Sequence, residues 1–344
     1  MSNQTPKEAY LKLGRGELPD SVVNYTMGMP GINDSHPCSM VGARIFDQGP
    51  PVPGAPRKDM WGVPYASNKE TNFAGLPAPG EFILKDIVHW DKYIKTPPMP
   101  EVDWRQLAHD AYNNPKMPIN RERQAILLGG PLMPFQQLMA FMGFTEGLCA
   151  LYEEPEKCKE LLNYILDFLM PVVENSVAYF EPDIFYILDD TASKLQPFVS
   201  LEMYRDILKP AYERIAEPAN KRGIPIQFHN CGRCEDFIDD MIDFGVVYWD
   251  PAQTKNDLLG IKEKYKGKIV ICGGYDWVLP DTYPVIEKEY VVDLVRSTID
   301  KYAPGGGYAF CGGALGAAGD TAIENANKWA REEVYNYGLD YYLK

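Results

Sequence analysis

Ile224-Pro225-Ile226-Gln227-Phe228-His229-Asn230-Cys231-Gly232 is a short apolar run closed by an imidazole and a thiol. Alternate positions of an extended chain point to the same side, so His229 and Cys231 share a face. The stretch Tyr308-Ala309-Phe310-Cys311-Gly312-Gly313 has the same form, an apolar run closed by a thiol. If both runs are parallel strands, His229, Cys231 and Cys311 meet at one rim of one sheet. One imidazole and two thiolates form a zinc set that leaves a fourth position open for water or substrate, the mark of a catalytic rather than a structural site. Read singly, the two cysteines are small buried hydrophobes and the histidine a satisfied core imidazole. Their coincidence at matching strand ends favours metal.

Other apolar runs surround these two: residues 125–128, 184–188, 246–249 and 269–272. Helical stretches separate them. Leu161, Ile165 and Phe168 recur at helical spacing. Pro284 suits the first turn of a helix running toward Tyr302, and Thr321 with Glu324 suits a capping box for the last helix. This alternation predicts a parallel sheet with helices outside it. Six units follow residue 120, and residues 22–26 offer one more strand. The count approaches the eight of a TIM barrel, where function collects at the C-terminal strand ends.

Residues 1–120 read differently. They hold 16 of the 29 prolines, which keeps long helices out. Segments 48–54 and 76–80 read as turns and extended loops. Trp61, Phe73, Phe82, Trp90, Tyr93 and Trp104 nevertheless need burial. The expectation is a loop-rich elaboration over 1–120 that supplies a lid and the first barrel elements. Residues 121–344 then form the main part of one TIM-barrel domain.

The strand ends gather the reactive groups. Asp189 and Asp190 follow residues 184–188, Asp250 follows Trp249, and Gly273-Gly274-Tyr275 follows Cys272. Adjacent aspartates of a strand point to opposite faces, so at most one of Asp189 and Asp190 aims at the site. Such a carboxylate serves as substrate anchor, as partner to His229 or as proton acceptor, or else caps a helix. Tyr25, Tyr186, Tyr248, Trp249 and Tyr275 are candidate walls for a flat apolar substrate, with core packing the alternative for each. Cys231-Gly232-Arg233-Cys234 has C-x-x-C spacing but lacks a thioredoxin-like context, so Cys234 reads as packing, as does Cys272. The glycines after Cys311 lack the G-x-G-x-x-G spacing of a phosphate loop and are equally explained by close backbone approach.

Composition excludes several classes. The 344 residues carry a formal charge of −14, which argues against nucleic acid and anionic membrane surfaces. No run reaches the ~18 apolar residues of a membrane helix. Residues 1–16 show no signal-peptide core. Seven scattered cysteines suit a reducing compartment, and the expected location is cytoplasmic.

Gly129-Gly130-Pro131, residues 183–190, His229-Asn230-Cys231-Gly232 and Cys311-Gly312-Gly313 together resemble the uroporphyrinogen decarboxylase-like superfamily, over roughly residues 121–337. Within it, His-x-Cys with a distant Cys is similar to the zinc site of corrinoid-dependent methyltransferases. The resemblance implies a TIM barrel, zinc on His229, Cys231 and Cys311, and a separate corrinoid-binding protein docking at the open rim. True decarboxylases carry an arginine-rich motif near the N-terminus to grip substrate carboxylates. Here residues 23–30 read Val-Asn-Tyr-Thr-Met-Gly-Met-Pro, with no arginine. Two transfers fit: from a methylated donor such as a methoxylated aromatic to cobalt (O-demethylation), or from methylcobalt to a thiol of the coenzyme M type. The triad resembles the thiol branch, whereas the aromatic N-terminal elaboration suits a bulkier donor, and the donor side is the expectation. A zinc-binding docking protein without catalysis is the non-enzymatic alternative.

Overall fold

Eight strands run parallel in one curled sheet: β1 (Val23–Asn24), β2 (Cys38–Gly42), β3 (Ala125–Gly129), β4 (Ile184–Leu188), β5 (Ile226–His229), β6 (Val246–Ala252), β7 (Val270–Gly274) and β8 (Tyr308–Cys311). The order is β1-β8-β7-β6-β5-β4-β3-β2, so strands adjacent in sequence are adjacent in space, as a (β/α)8 barrel requires. The computed structural model describes residues 4–25, 36–46, 55–69 and 72–344. Tyr25, just after β1, and His36, just before β2, bring the two edges of the sheet together, with ring centroids 6.0 Å apart.

The barrel divides the core in two. Inside the lumen, Val23, Cys38, Leu127, Tyr186, Tyr248, Cys272, Ala309 and Cys311 pack as one cluster. A larger cluster, including Ile187, Phe228, Trp249 and Ile271, fills the space between sheet and helices. The period-2 alternation of the strands sorts residues between these cores. β5 contributes no hydrophobic side chain to the lumen. Its inward positions are Gln227 and His229, both buried, while Ile226 and Phe228 face the helices.

Helix α1 (Pro6–Gly14) closes the end of the barrel opposite the rim. Thr5 and Glu8 form a capping box at its start. Lys7 pairs with Asp183, just ahead of β4, at 2.8 Å, and its backbone N–H donates to Arg123, just ahead of β3. Tyr10 of α1 enters the lumen and lies against Tyr25 and Tyr248, with centroids 5.4 and 4.5 Å away.

All six apolar runs after residue 120 become strands, with ends shifted by at most three residues. The residues 22–26 candidate shortens to β1, and Thr26 lies outside the described residues, as does segment 48–54. Two helix starts differ from expectation. The last helix, Thr321–Gly338, is capped by Asp320, whose carboxylate accepts from Ala322 and Ile323. Asp one residue earlier reaches two free N–H groups, so Thr321 falls inside the helix. The preceding helix begins at Lys288, and Pro284 lies ahead of it.

The region before residue 120 supplies β1, β2 and a small antiparallel sheet of Arg57–Lys58, Pro64–Ala66 and Leu76–Pro77. Trp61 anchors this part on the outer helices, edge-on to Phe141 and Phe168. Phe82, Trp90 and Trp104 are half-buried, but Phe73 and Tyr93 are exposed, contrary to the expectation that all six aromatics bury.

Candidate metal centre

Among the described residues, one group of donor atoms lies mutually within 4.8 Å: those of Asp190, His229 and Cys231. They stand at the C-terminal ends of β4 and β5, where the barrel opens. His229 Nε2 is 3.5 Å from Cys231 Sγ and 3.6 Å from Asp190 Oδ1. The same Asp190 oxygen accepts the Cys231 backbone N–H at 2.8 Å, and its other oxygen accepts from the Gln136 amide. Solvent reaches the group on the aspartate side: the Asp190 side chain is 33% exposed and that of His229 10%.

Local backbone geometry sets this convergence. After Cys231 the chain turns at Gly232, whose φ is +92°. A Cβ there would lie 2.5 Å from the carbonyl oxygens of Ala192 and Ser193, so only glycine lets the β5 end pass the loop after β4. Gly312 plays the same part beside Cys311: φ is +150°, and a Cβ would lie 2.7 Å from Tyr275 Cβ. The following glycine-rich loop is tied to the last helix by Asn327, which bonds both the N–H and the C=O of Ala314.

Asp250 lies beneath the imidazole. It is level with His229 in the β5–β6 register and has no exposed surface. Its Oδ2 is 3.3 Å from His229 Nδ1 and accepts the Tyr186 hydroxyl at 3.0 Å. Its Oδ1 accepts from Gln227 Nε2 at 3.1 Å, and Gln227 Oε1 accepts the Tyr10 hydroxyl at 2.8 Å. Burial pulls the His229 pKa down, but bonds to Asp250 and Cys231 outweigh it and hold the imidazole well above its ordinary value. Burial raises the Cys231 thiol, against the pull of His229.

The donor set fits a borderline-soft cation. Nitrogen, sulfur and carboxylate oxygen converge from two neighbouring strands, one edge faces solvent, and the imidazole is backed by a carboxylate. Cys311 is 5% exposed and belongs to the same lumen cluster, entering three strands round the barrel from β5. It stands outside the 4.8 Å group, where Asp190 takes the third place.

The structure separates the paired aspartates. Asp190 faces the imidazole. Asp189, expected as a catalytic candidate, turns outward from the imidazole. It is fully buried and accepts from the backbone N–H of Phe135 and Gln136, at the start of helix Pro134–Met142, and from the Tyr212 hydroxyl. Burial raises its pKa to about 7 against these three donors. Four of the five aromatic wall candidates are buried. Trp249 points into the outer core, its Nε1 donating to Asn230 O. Tyr248 lies on the barrel floor, bonded to Tyr10 O. Tyr25 is wholly buried beside Tyr10, and Tyr186 is buried under His229 holding Asp250. Tyr275 alone is half-buried at the rim, packed between Phe310 and Trp277. Cys234 and Cys272 are packing residues: Cys234 belongs to the outer core, and Cys272 Sγ meets the Tyr10 hydroxyl at 3.5 Å. Sequence reading missed Gln227 and Tyr10, and assigned Asp250 no role. The available signal was polar Gln227 and His229 alternating with Ile226 and Phe228 in one strand.

The model of the uroporphyrinogen decarboxylase (URO-D) family matches residues 119–332, and the chain belongs to that family. Among solved structures, a methyltransferase from Methanosarcina mazei is similar over 96% of this chain and 99% of its own, with a TM-score of 0.56 and 14% identity; this likeness concerns the fold. No curated protein matches the chain in sequence. No helix among the described residues is long and apolar enough to cross a membrane.

Proposed function

We propose that this chain is a zinc-dependent methyltransferase that passes a methyl group from a methylated donor, a methoxylated aromatic, to the cobalt of a separate corrinoid protein. The observation that carries this reading is the convergence of His229 Nε2, Cys231 Sγ and Asp190 Oδ1 at the open rim of a URO-D-family barrel. Cys311 is the second thiolate in the proposal. The fold shared with a protein described as a methyltransferase supports it. Decarboxylation of a polycarboxylate fits less well, because residues 23–30 carry no arginine to grip substrate carboxylates.

His229, Cys231 and Cys311 would hold the zinc, with Asp190 beside them. Zinc bound there would supply Lewis acidity to the methyl-bearing oxygen of the donor. Asp190, partly exposed, orients the incoming donor and holds the Cys231 backbone. Tyr275, at the β7 end, lines the side nearest Cys311-Gly312. The buried floor of tyrosines excludes water from below. The partner's corrinoid would supply Co(I) as the two-electron nucleophile for the methyl group, and the donor would leave as its aryloxide with the methyl–oxygen electron pair.

The runner-up is transfer from methylcobalt to a thiol, favoured by the imidazole–thiol pairing of His229 and Cys231. Metal analysis with a cobalamin assay tests both. The donor-side reading expects about one zinc per chain and methylcobalamin formed from an aryl methyl ether and Co(I). Demethylation of methylcobalamin only with added thiol replaces it by the runner-up. Absence of zinc overturns both.

A further inference from the structure

We infer that Asp250 is the positioning residue of the metal centre, and that Gln227 and Tyr10 extend its hold to the barrel floor; this rests on the zinc reading above. The argument begins with acceptor chemistry. An ionised carboxylate only accepts hydrogen bonds. Asp250 Oδ1 already accepts from Gln227 Nε2, and Oδ2 from the Tyr186 hydroxyl. His229 Nδ1, 3.3 Å from that same Oδ2, must therefore present a proton to it. That leaves Nε2 as the nitrogen that would take a metal, facing Cys231 Sγ and Asp190 Oδ1.

The histidine that holds a metal through one nitrogen needs the other fixed, and a carboxylate partner also raises its basicity. Asp189, the carboxylate adjacent to Asp190, cannot do this because both its oxygens are held by helix Pro134–Met142 and Tyr212. Asp250 can, because β6 sets it level with His229.

The support continues downward. A glutamine amide is symmetric in shape and could flip, presenting oxygen to the carboxylate. Gln227 does not, because an ionised Asp250 can only accept and so requires Nε2, which leaves Oε1 for the Tyr10 hydroxyl at 2.8 Å. Tyr10 in turn is clamped between Tyr25 and Tyr248. The line Tyr10–Gln227–Asp250–His229 thus runs from helix α1, at the closed end, to the rim. Helix α1 contributes to the site without touching it.

The test pairs zinc competition against a chromophoric chelator with nitrogen-15 NMR of histidine-labelled, zinc-loaded protein. Only four histidines are present, so the His229 signals are assigned with single variants. Asp250→Asn is expected to weaken zinc binding on the order of tenfold to a hundredfold and to lose the slowly exchanging Nδ1–H of His229. Tyr10→Phe is expected to shift the same signal and weaken zinc only a few-fold, by the same principle. Zinc affinity and Nδ1–H unchanged in Asp250→Asn overturn the inference. If Asp250→Asn does not fold, Tyr186→Phe removes one donor to the same oxygen. A shifted Nδ1–H then supports the inference and an unshifted one overturns it. Wild-type protein that binds zinc but transfers no methyl group defeats the proposed activity and leaves this inference standing. Wild-type protein that binds no zinc defeats both.

Discussion

The two sides of the barrel lumen are built from opposite chemistry. On the side of β4, β5 and β6, the inward residues include Tyr186, Gln227, His229 and Asp250, joined by hydrogen bonds. On the side of β8, β1, β2 and β3, they include Ala309, Val23, Cys38, Ala125 and Leu127, packed without such a network. Buried polar groups are costly unless bonded to one another, so they collect where each finds a partner. The apolar side gives the barrel its cohesion, and the polar side gives it a place to hold charge. Asp190, His229 and Cys231 gather at the rim of the polar side, and Cys311 ends β8 on the other.

The sharpest break in this comparison comes from the two thiols. Cys231→Ser is expected to reduce zinc from about one per chain to near zero and to abolish transfer, read by metal analysis of the purified variant. Cys311→Ser is expected to do the same from the apolar side. Retained zinc and rate in Cys311→Ser would confine the site to the polar side, with Asp190 as third ligand.

A smaller effect is expected from Asp190→Asn. It keeps the shape of the side chain but removes the charge beside Nε2, and chelator competition should show affinity weakened on the order of tenfold. Unchanged affinity would limit Asp190 to holding the Cys231 backbone.

Asp189 tests the outer layer. Its folded pKa of about 7 lies above that of an unfolded aspartate, so the folded chain holds the extra proton between those values. Its contribution therefore falls as pH rises from about 4 toward 7. Asp189→Asn should flatten that part of the stability profile, measured as Tm against pH. It should leave zinc content unchanged, and a variant without zinc would return Asp189 to the site.

The smallest effect is expected from Cys272→Ala, deep on the lumen floor. It should cost about 1 kcal/mol by denaturant unfolding with full zinc retention. Loss of metal would extend the centre to β7.

Much of the barrel was legible in advance because its strands are buried on both faces and read as continuous apolar runs. Residues 125–128, 184–188 and 308–311 stand out for that reason. β2 was not legible, since Cys38–Gly42 mixes Ser and Gly into a proline-rich stretch that reads as loop. At the site, His229 and Cys231 were legible from their i, i+2 spacing at a strand end. The aromatic wall was not: Trp249 and Tyr248 are adjacent in sequence, yet one faces the helices and the other the barrel floor.

By itself the sequence determined the parallel α/β class, the order of strands after residue 120, and the imidazole and thiols that sit at strand ends. These follow from hydrophobic periodicity and from residue chemistry, both local properties. Only the tertiary structure decided which aspartate faces the imidazole, which aromatic lies half-buried at the rim, and that Asp250 lies against His229. Those outcomes depend on strand register and on curvature of the sheet. A one-residue change in register turns a side chain from the lumen to the helices, and nothing in the local sequence sets the register between distant strands.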